Sequence, residues 1–186
     1  MSEPAGAIFR EEQRFRQLWL WLVVAATAGI TWYGFVGQVF MGRPFGDRPA
    51  SDGALTVIWL LFGIGLPVFF RLLRLVTVVS PAGVHFRFAP FHFSFRALPP
   101  ADIRSYEART YRPLLEYGGW GIRSGRGGDA YNVSGDRGVQ FVLAGGRRVL
   151  IGTQRPEEFV AALDKVLGYS KTTGAQRADS QNDPDR

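Results

Sequence analysis

The 186-residue chain has no cysteine, which excludes disulfide staples, thiolate zinc sites and a cysteine nucleophile. Its only histidines are His85 and His92, too few for a three-histidine metal site. Formal charge is missing from two long stretches, the 26 residues of 17–42 and the 18 residues of 53–70. A helix needs about 20 apolar residues to cross a bilayer. No polar face interrupts either run at the helical period, so two buried core helices of a soluble protein are the weaker reading. The expectation is a helical hairpin in the membrane, with spans over 17–42 and 53–72 joined by a short external loop over 43–52.

What is present agrees with that expectation. Trp19, Trp21, Trp32 and Tyr33 stand near the ends of the first run, as interfacial aromatics do. Arg10, Arg14 and Arg16 precede the first run and Arg71 and Arg74 follow the second, whereas Arg43 and Arg48 in the connecting loop are offset by Asp47 and Asp52. The positive-inside rule then places both termini in the cytoplasm of a multi-pass protein of the plasma (inner) membrane. Ala26-Thr27-Ala28 has the small-x-small form of a leader cleavage site, but the segment before it is long for a leader and carries Glu3, Glu11 and Glu12. No charge lies inside either run, so nothing marks an ion or proton path. Thr27, Thr31 and Thr56 are expected to bond back to their own helices. Ala25/Gly29 and Gly63/Gly65 are candidates for close helix approach, and Pro67 for a bend.

Beyond Leu72 the pattern changes to short alternating segments separated by proline and glycine, which signals strands. The run VHFRFAPFHFSF at 84–95 reads as a hairpin turning at Ala89-Pro90, with Val84, Phe86 and Phe88 opposite Phe95, Phe93 and Phe91 on one apolar face. Further strands are expected over 103–110, 119–123, 130–133, 139–143 and 148–151, the last two joined by a glycine turn at 144–147. After Pro156, Phe159, Leu163, Val166 and Leu167 recur at helical spacing, Asp164 and Lys165 face away, and Glu157 and Glu158 suit a first turn. The expected domain over 73–169 is therefore α+β, about seven strands closed by a C-terminal helix. Residues 1–16 form a cytoplasmic N-terminal segment in this reading. The polar tail 170–186 is expected to be disordered.

Two apolar runs followed by a small β-rich unit, the Gly-Gly hairpin and LIGTQRPEEF at 150–159 resemble the bacterial pleckstrin-homology-like membrane proteins. FREEQRFRQ at 9–17, YGGWGIR at 117–123 and AYNVSG at 130–135 resemble a family of that kind that is a domain of unknown function. The likeness spans most of residues 8–168. It implies a curved sheet or partly open barrel at a membrane face and brings no catalytic residues.

The residues point to binding rather than catalysis. The glycine-rich stretch 118–128 lacks the glycine spacing, the Lys-Ser/Thr ending and the strand–loop–helix setting of a phosphate loop. No serine sits in a nucleophile elbow, and Glu107 with Glu116 has no spacing that commits a carboxylate pair. His85 and His92, beside Arg87 and Arg96, read as a solvated pair rather than a metal site. No cofactor is expected. Leu114, Tyr117, Trp120, Ile122, Arg123 and Tyr131 have the composition of an interface, and Tyr117, Trp120, Arg123 and Tyr131 are the candidate residues for a protein partner or self-association. The alternative is an anionic-lipid-headgroup site at Arg71, Arg74, Arg87 and Arg96, since the net charge is +6 and the domain would sit at an anionic leaflet. An enzyme accessory subunit is a lesser alternative. Nucleic acid is not expected, because the phenylalanines alternate as core residues do.

Overall fold

The computed structural model describes residues 4–125 and 127–168. The expected disorder of 170–186 lies outside the described residues. Two helices are long and apolar enough to cross a membrane, α1 (Leu18–Phe40) and α2 (Asp52–Leu72). Only 17% and 11% of their apolar windows are buried within the chain, so neither is a core helix of the β domain. Ser51 starts α2 by accepting the Ala54 N–H at 3.3 Å. Residues Trp59–Gly65 of α2 widen into π-helical turns just ahead of Pro67, which has no N–H to donate.

The two helices touch through aromatic rings and one glycine. Phe35 stacks on Trp59 at 4.1 Å, and Trp32 meets the same ring edge-on at 5.0 Å. Trp32 also donates its indole N–H to the Gly63 carbonyl at 3.2 Å. A Cβ at Gly63 would lie 2.8 Å from the Trp59 ring and 3.0 Å from Thr31 Oγ1, so a larger residue would disturb the packing of the two helices there. Gly29, by contrast, has nothing near it and plays no part in the approach. Thr31 and Thr56 bond back to their own helices as expected.

The β domain contains two sheets. The first has β1 (Phe9–Arg14), β2 (Arg74–Ser80), β3 (Gly83–Ala89) and β4 (Arg96–Leu98), antiparallel in that order. The second has β5 (Ile103–Thr110), β6 (Gly121–Gly125), β7 (Gly128–Asn132), β8 (Arg137–Leu143) and β9 (Arg148–Gly152), in the order β5-β8-β9-β7-β6, with β7 and β9 parallel. A short helix, α3 (Pro113–Tyr117), joins β5 to β6, and α4 (Pro156–Leu167) ends the domain. Both sheets share one core in which Phe86, Phe88 and Val79 meet Phe141, Val139 and Ile151, with Phe159 and Leu163 of α4 closing it. On the outer face of the second sheet, α3 places Tyr117 against Tyr111, Ala130 and Leu150.

Three expectations are corrected here. First, nine strands rather than about seven are present among the described residues, because β1 and β2 were not foreseen. β2 is buried on both faces and continues the apolar sequence of α2 without alternation. Residues 9–14 are not a separate N-terminal segment but an edge strand of the domain, inserted before the helical pair. Second, Val84 faces Leu98 rather than Phe95, and Phe86 faces Arg96. The pairing strand is therefore Arg96–Leu98, and residues 90–95, expected as the second half of a hairpin, form the connecting loop. Phe91 and Phe93 leave the core, at 56% and 90% exposure, and Phe95 lies under the Arg87 guanidinium at 5.0 Å. Third, Asp164 does not face away, since it accepts the Tyr106 hydroxyl at 2.5 Å.

Close approach requires glycine at Gly83 and Gly128, and a Cβ at Gly83 would lie 2.3 Å from the Leu98 carbonyl oxygen. Gly128 has φ 103°, and a Cβ there would lie 2.2 Å from the Arg148 carbonyl oxygen of the adjoining strand.

Candidate binding surfaces

The four candidate partner residues separate into two pairs. Tyr131, 5% exposed, sits on β7 with its ring 4.5 Å from Phe86, and its hydroxyl accepts from Arg96 Nη1 at 2.9 Å. Tyr117, 6% exposed, donates to Gln140 Oε1 at 3.4 Å, and burial raises its pKa. Both tyrosines are packing residues. Trp120 is half-buried and donates its indole N–H to the Gly135 carbonyl at 2.9 Å. Arg123 is exposed, and its Nε donates back to the Trp120 carbonyl at 3.1 Å. Trp120 and Arg123 thus remain together on the surface at the start of β6, the last strand of its sheet. Beside them α3 turns Leu114 and Leu115 outward at 67% and 76% exposure, and Ile122 of β6 is exposed as well.

The four candidate headgroup arginines also separate. Arg74 pairs with Glu12 at 3.6 Å, Arg87 lies over Phe95 and Arg96 is held on Tyr131. Arg71, at the end of α2, lines a cleft of about 330 Å³ with Arg14, Phe15, Arg16, Trp21 and Phe70. Arg14 is committed to Glu12, at 2.7 Å, and that hydrogen bond is the chief cause holding the Glu12 carboxyl below its ordinary range. Among the described residues, no acidic group pairs with Arg16 or Arg71. Two free guanidinium groups beside Trp21 and Phe70 make a cationic pocket with an aromatic floor. In the sequence Arg14 and Arg16 mark only the flank of the first apolar run; their place beside Arg71 follows from the β1–β2 pairing, which sets Arg14 opposite Arg74.

A second cleft, about 300 Å³, lies between the β4 edge and the second sheet, lined by Phe86, Arg96, Leu98, Asp129, Tyr131 and Arg147 among others. Asp129 accepts the Ser124 hydroxyl at 2.7 Å, so its charge is partly engaged. Nothing in either cleft pairs a nucleophile with a base. Ser80 Oγ and His85 Nδ1 stand 3.5 Å apart, long for a hydrogen bond, and among the described residues no carboxylate orients His85. His92 accepts the Phe88 N–H at 3.2 Å, and burial followed by the nearby Arg96 charge lowers its pKa. No group of three or more metal-ligating side chains occurs among the described residues.

The segments that carried the family resemblance meet one another in space. Glu11 accepts from Thr153 Oγ1 and from the Gln154 N–H at 2.9 Å, and Gln13 donates to the Gly152 carbonyl at 2.7 Å. Phe9 stacks on Phe159 at 5.0 Å, and Arg155 caps the Phe9 ring at 4.9 Å. Gln17 donates to the Val133 carbonyl at 2.8 Å, and Gln154 bonds Ser134. Asn132 accepts the Gly121 N–H and donates to the Tyr111 hydroxyl. These contacts close the domain around its first strand.

Comparison with curated proteins gives no match. A family model matches residues 1–168 and so takes in β1, both long helices and the whole β domain. The chain belongs to this family of unknown function, DUF6141.

Proposed function

We propose that the protein is a two-span protein of the plasma (inner) membrane with both termini cytoplasmic, holding a pleckstrin-homology-like module at the membrane face as a non-catalytic binding or scaffolding surface for protein partners. The register supports the anchoring part of this reading. Because Arg14 pairs with Arg74, the chain leaves the first sheet into α1 and returns from α2 at the same place, so β1 and the domain lie on one side of any bilayer. The outward apolar surface of both helices supports it too. Removal of a leader after Ala28 would strip β1 from a sheet whose core it helps to close. Two sheets over one core with an amphipathic C-terminal helix support the pleckstrin-homology-like description.

The observation that carries the binding reading is the exposure of Leu114, Leu115 and Ile122 beside Trp120 and Arg123 at the open β6 edge. A photo-crosslinking residue placed at 115 or 122 in the full chain, in its native membrane, tests it. The expected result is a discrete protein adduct from both positions and none from 107 on β5. No adduct, or the same adducts from 107, overturns it.

The Arg16–Arg71 cleft favours a second reading, an anionic lipid headgroup held at the helix ends. Native mass spectrometry of the solubilised protein should then show phosphatidylglycerol retained by the wild type and lost from Arg16→Gln/Arg71→Gln. Equal retention removes this reading.

A further inference from the structure

Phe91 and Phe93 are the residues most at odds with a water-facing domain. They lie on the loop between β3 and β4, and that loop is held rather than loose. The His92 N–H donates to the Phe88 carbonyl at 2.8 Å, His92 Nδ1 accepts the Phe88 N–H, and the His92 ring packs against Phe86 and Tyr131 at 6.2 and 5.7 Å. With His92 fixed inward, its neighbours are turned outward, and Phe93 is left 90% exposed.

The register shows where the loop points. Arg14, Arg74 and Ala89 stand side by side across β1, β2 and β3, so the end of the sheet from which the loop leaves is the end joined to both long helices. The Phe91 ring reaches Phe69 of α2, edge-on at 6.0 Å. Phe69 is three residues before the last residue of α2, so it stands about 4.5 Å from the helix end. The apolar side chains at the end of α2 thus extend from Phe69 onto Phe91, two residues before the exposed Phe93. The free Arg16 and Arg71 flank the same helix ends, a charge pattern that complements anionic headgroups.

We propose that Phe91 and Phe93 insert into the headgroup–acyl boundary of the bilayer that holds α1 and α2, so that the β3–β4 loop is a third membrane contact fixing the tilt of the domain. This rests on the reading of α1 and α2 as spans, and the test separates the two. The absence of native cysteine allows single labelling sites. A full chain carrying Phe93→Cys, Leu61→Cys or Ala144→Cys is labelled with an environment-sensitive dye in phosphatidylcholine–phosphatidylglycerol vesicles. Ala144 is the aqueous reference: it is exposed, and its N–H bonds the carbonyl of Asp102, four residues after Leu98, which pairs with Val84 at the end of β3 away from Ala89.

The expected result at 93 is blue-shifted emission, quenching by lipids brominated near the headgroup, and iodide quenching several-fold weaker than at 144. The label at 61 should be quenched by lipids brominated deep in the chains. A position 93 as open to iodide as 144, with 61 in lipid, overturns the loop insertion alone. A label at 61 outside lipid overturns the spans and the insertion together. Repeating the measurement with a nitroxide at 93, read by collision with oxygen against a nickel chelate, guards against a dye that partitions on its own; nickel access equal to that at 144 overturns the proposal.

Discussion

Glu11, seven residues ahead of the first long helix, lies buried against Thr153, whose hydroxyl donates to it across 142 residues of chain. The same carboxylate takes the Gln154 N–H, so one side chain of β1 closes the turn that leads into α4. Both long helices and strands β2 to β9 of the two sheets lie between these residues in the chain.

Removing that carboxylate leaves the Thr153 hydroxyl and the Gln154 N–H without their acceptor in a buried setting. Glu11→Ala should cost about 2 kcal/mol, the usual loss for a buried hydrogen bond to a charged acceptor. Glu11→Gln, which keeps one acceptor oxygen, should cost less. Urea unfolding of the full chain in detergent, followed by tyrosine and tryptophan emission, measures both.

A fragment that begins at residue 73 lacks β1 and exposes the β2 edge and the Phe159 face. It should give a poorly dispersed amide spectrum. The same fragment with residues 7–16 attached through a short Gly-Ser linker in place of both helices should give a dispersed one, since Arg14 and Arg74 are adjacent in the sheet. Equal spectra from the two would show that β1 contributes nothing to the fold.

The division among the four aromatic and basic surface candidates has a stability signature. Tyr131→Ala opens a cavity beside Phe86 and removes the Arg96 hydrogen bond, and should cost about 3 kcal/mol. Trp120→Ala should cost about 1 kcal/mol, and Arg123→Ala no more than about 0.5 kcal/mol. Chemical denaturation ranks them. A Tyr131→Ala variant as stable as Arg123→Ala would return Tyr131 to the surface set.

Alkaline pH should act through Tyr111. Burial pushes its hydroxyl up to about 12 from 10.0, outweighing the Asn132 hydrogen bond that lowers it. A folded pKa above the unfolded one means that the stabilisation is complete below pH 10.0 and is lost as pH rises through about 12. Tyr111→Phe should lose stability less steeply over that window, as read by unfolding midpoints at stepped pH.

The sequence by itself determined the local and one-dimensional features. Two uncharged apolar runs became two long helices, and Pro156 with Glu157 and Glu158 began an amphipathic helix whose Phe159 and Leu163 are buried. β3, whose residues alternate plainly, and β5 and β8, which are bounded by proline and glycine, are legible within one or two residues. Tertiary structure alone decided what depended on partners far along the chain. β1 buries Glu11 and Gln13, which look like surface residues until Thr153 and Gln154 arrive from the other end to donate to Glu11 and the Gly152 carbonyl accepts the Gln13 amide. β2 showed no period because both its faces are covered. The run at 84–95 alternates as well for a tight hairpin as for a longer loop, and only the pairing of Val84 with Leu98 chose between them. Period-two patterns carry no information on register, and pairing three positions further along left Phe91 and Phe93 in an exposed loop, with Phe91 against Phe69 of α2.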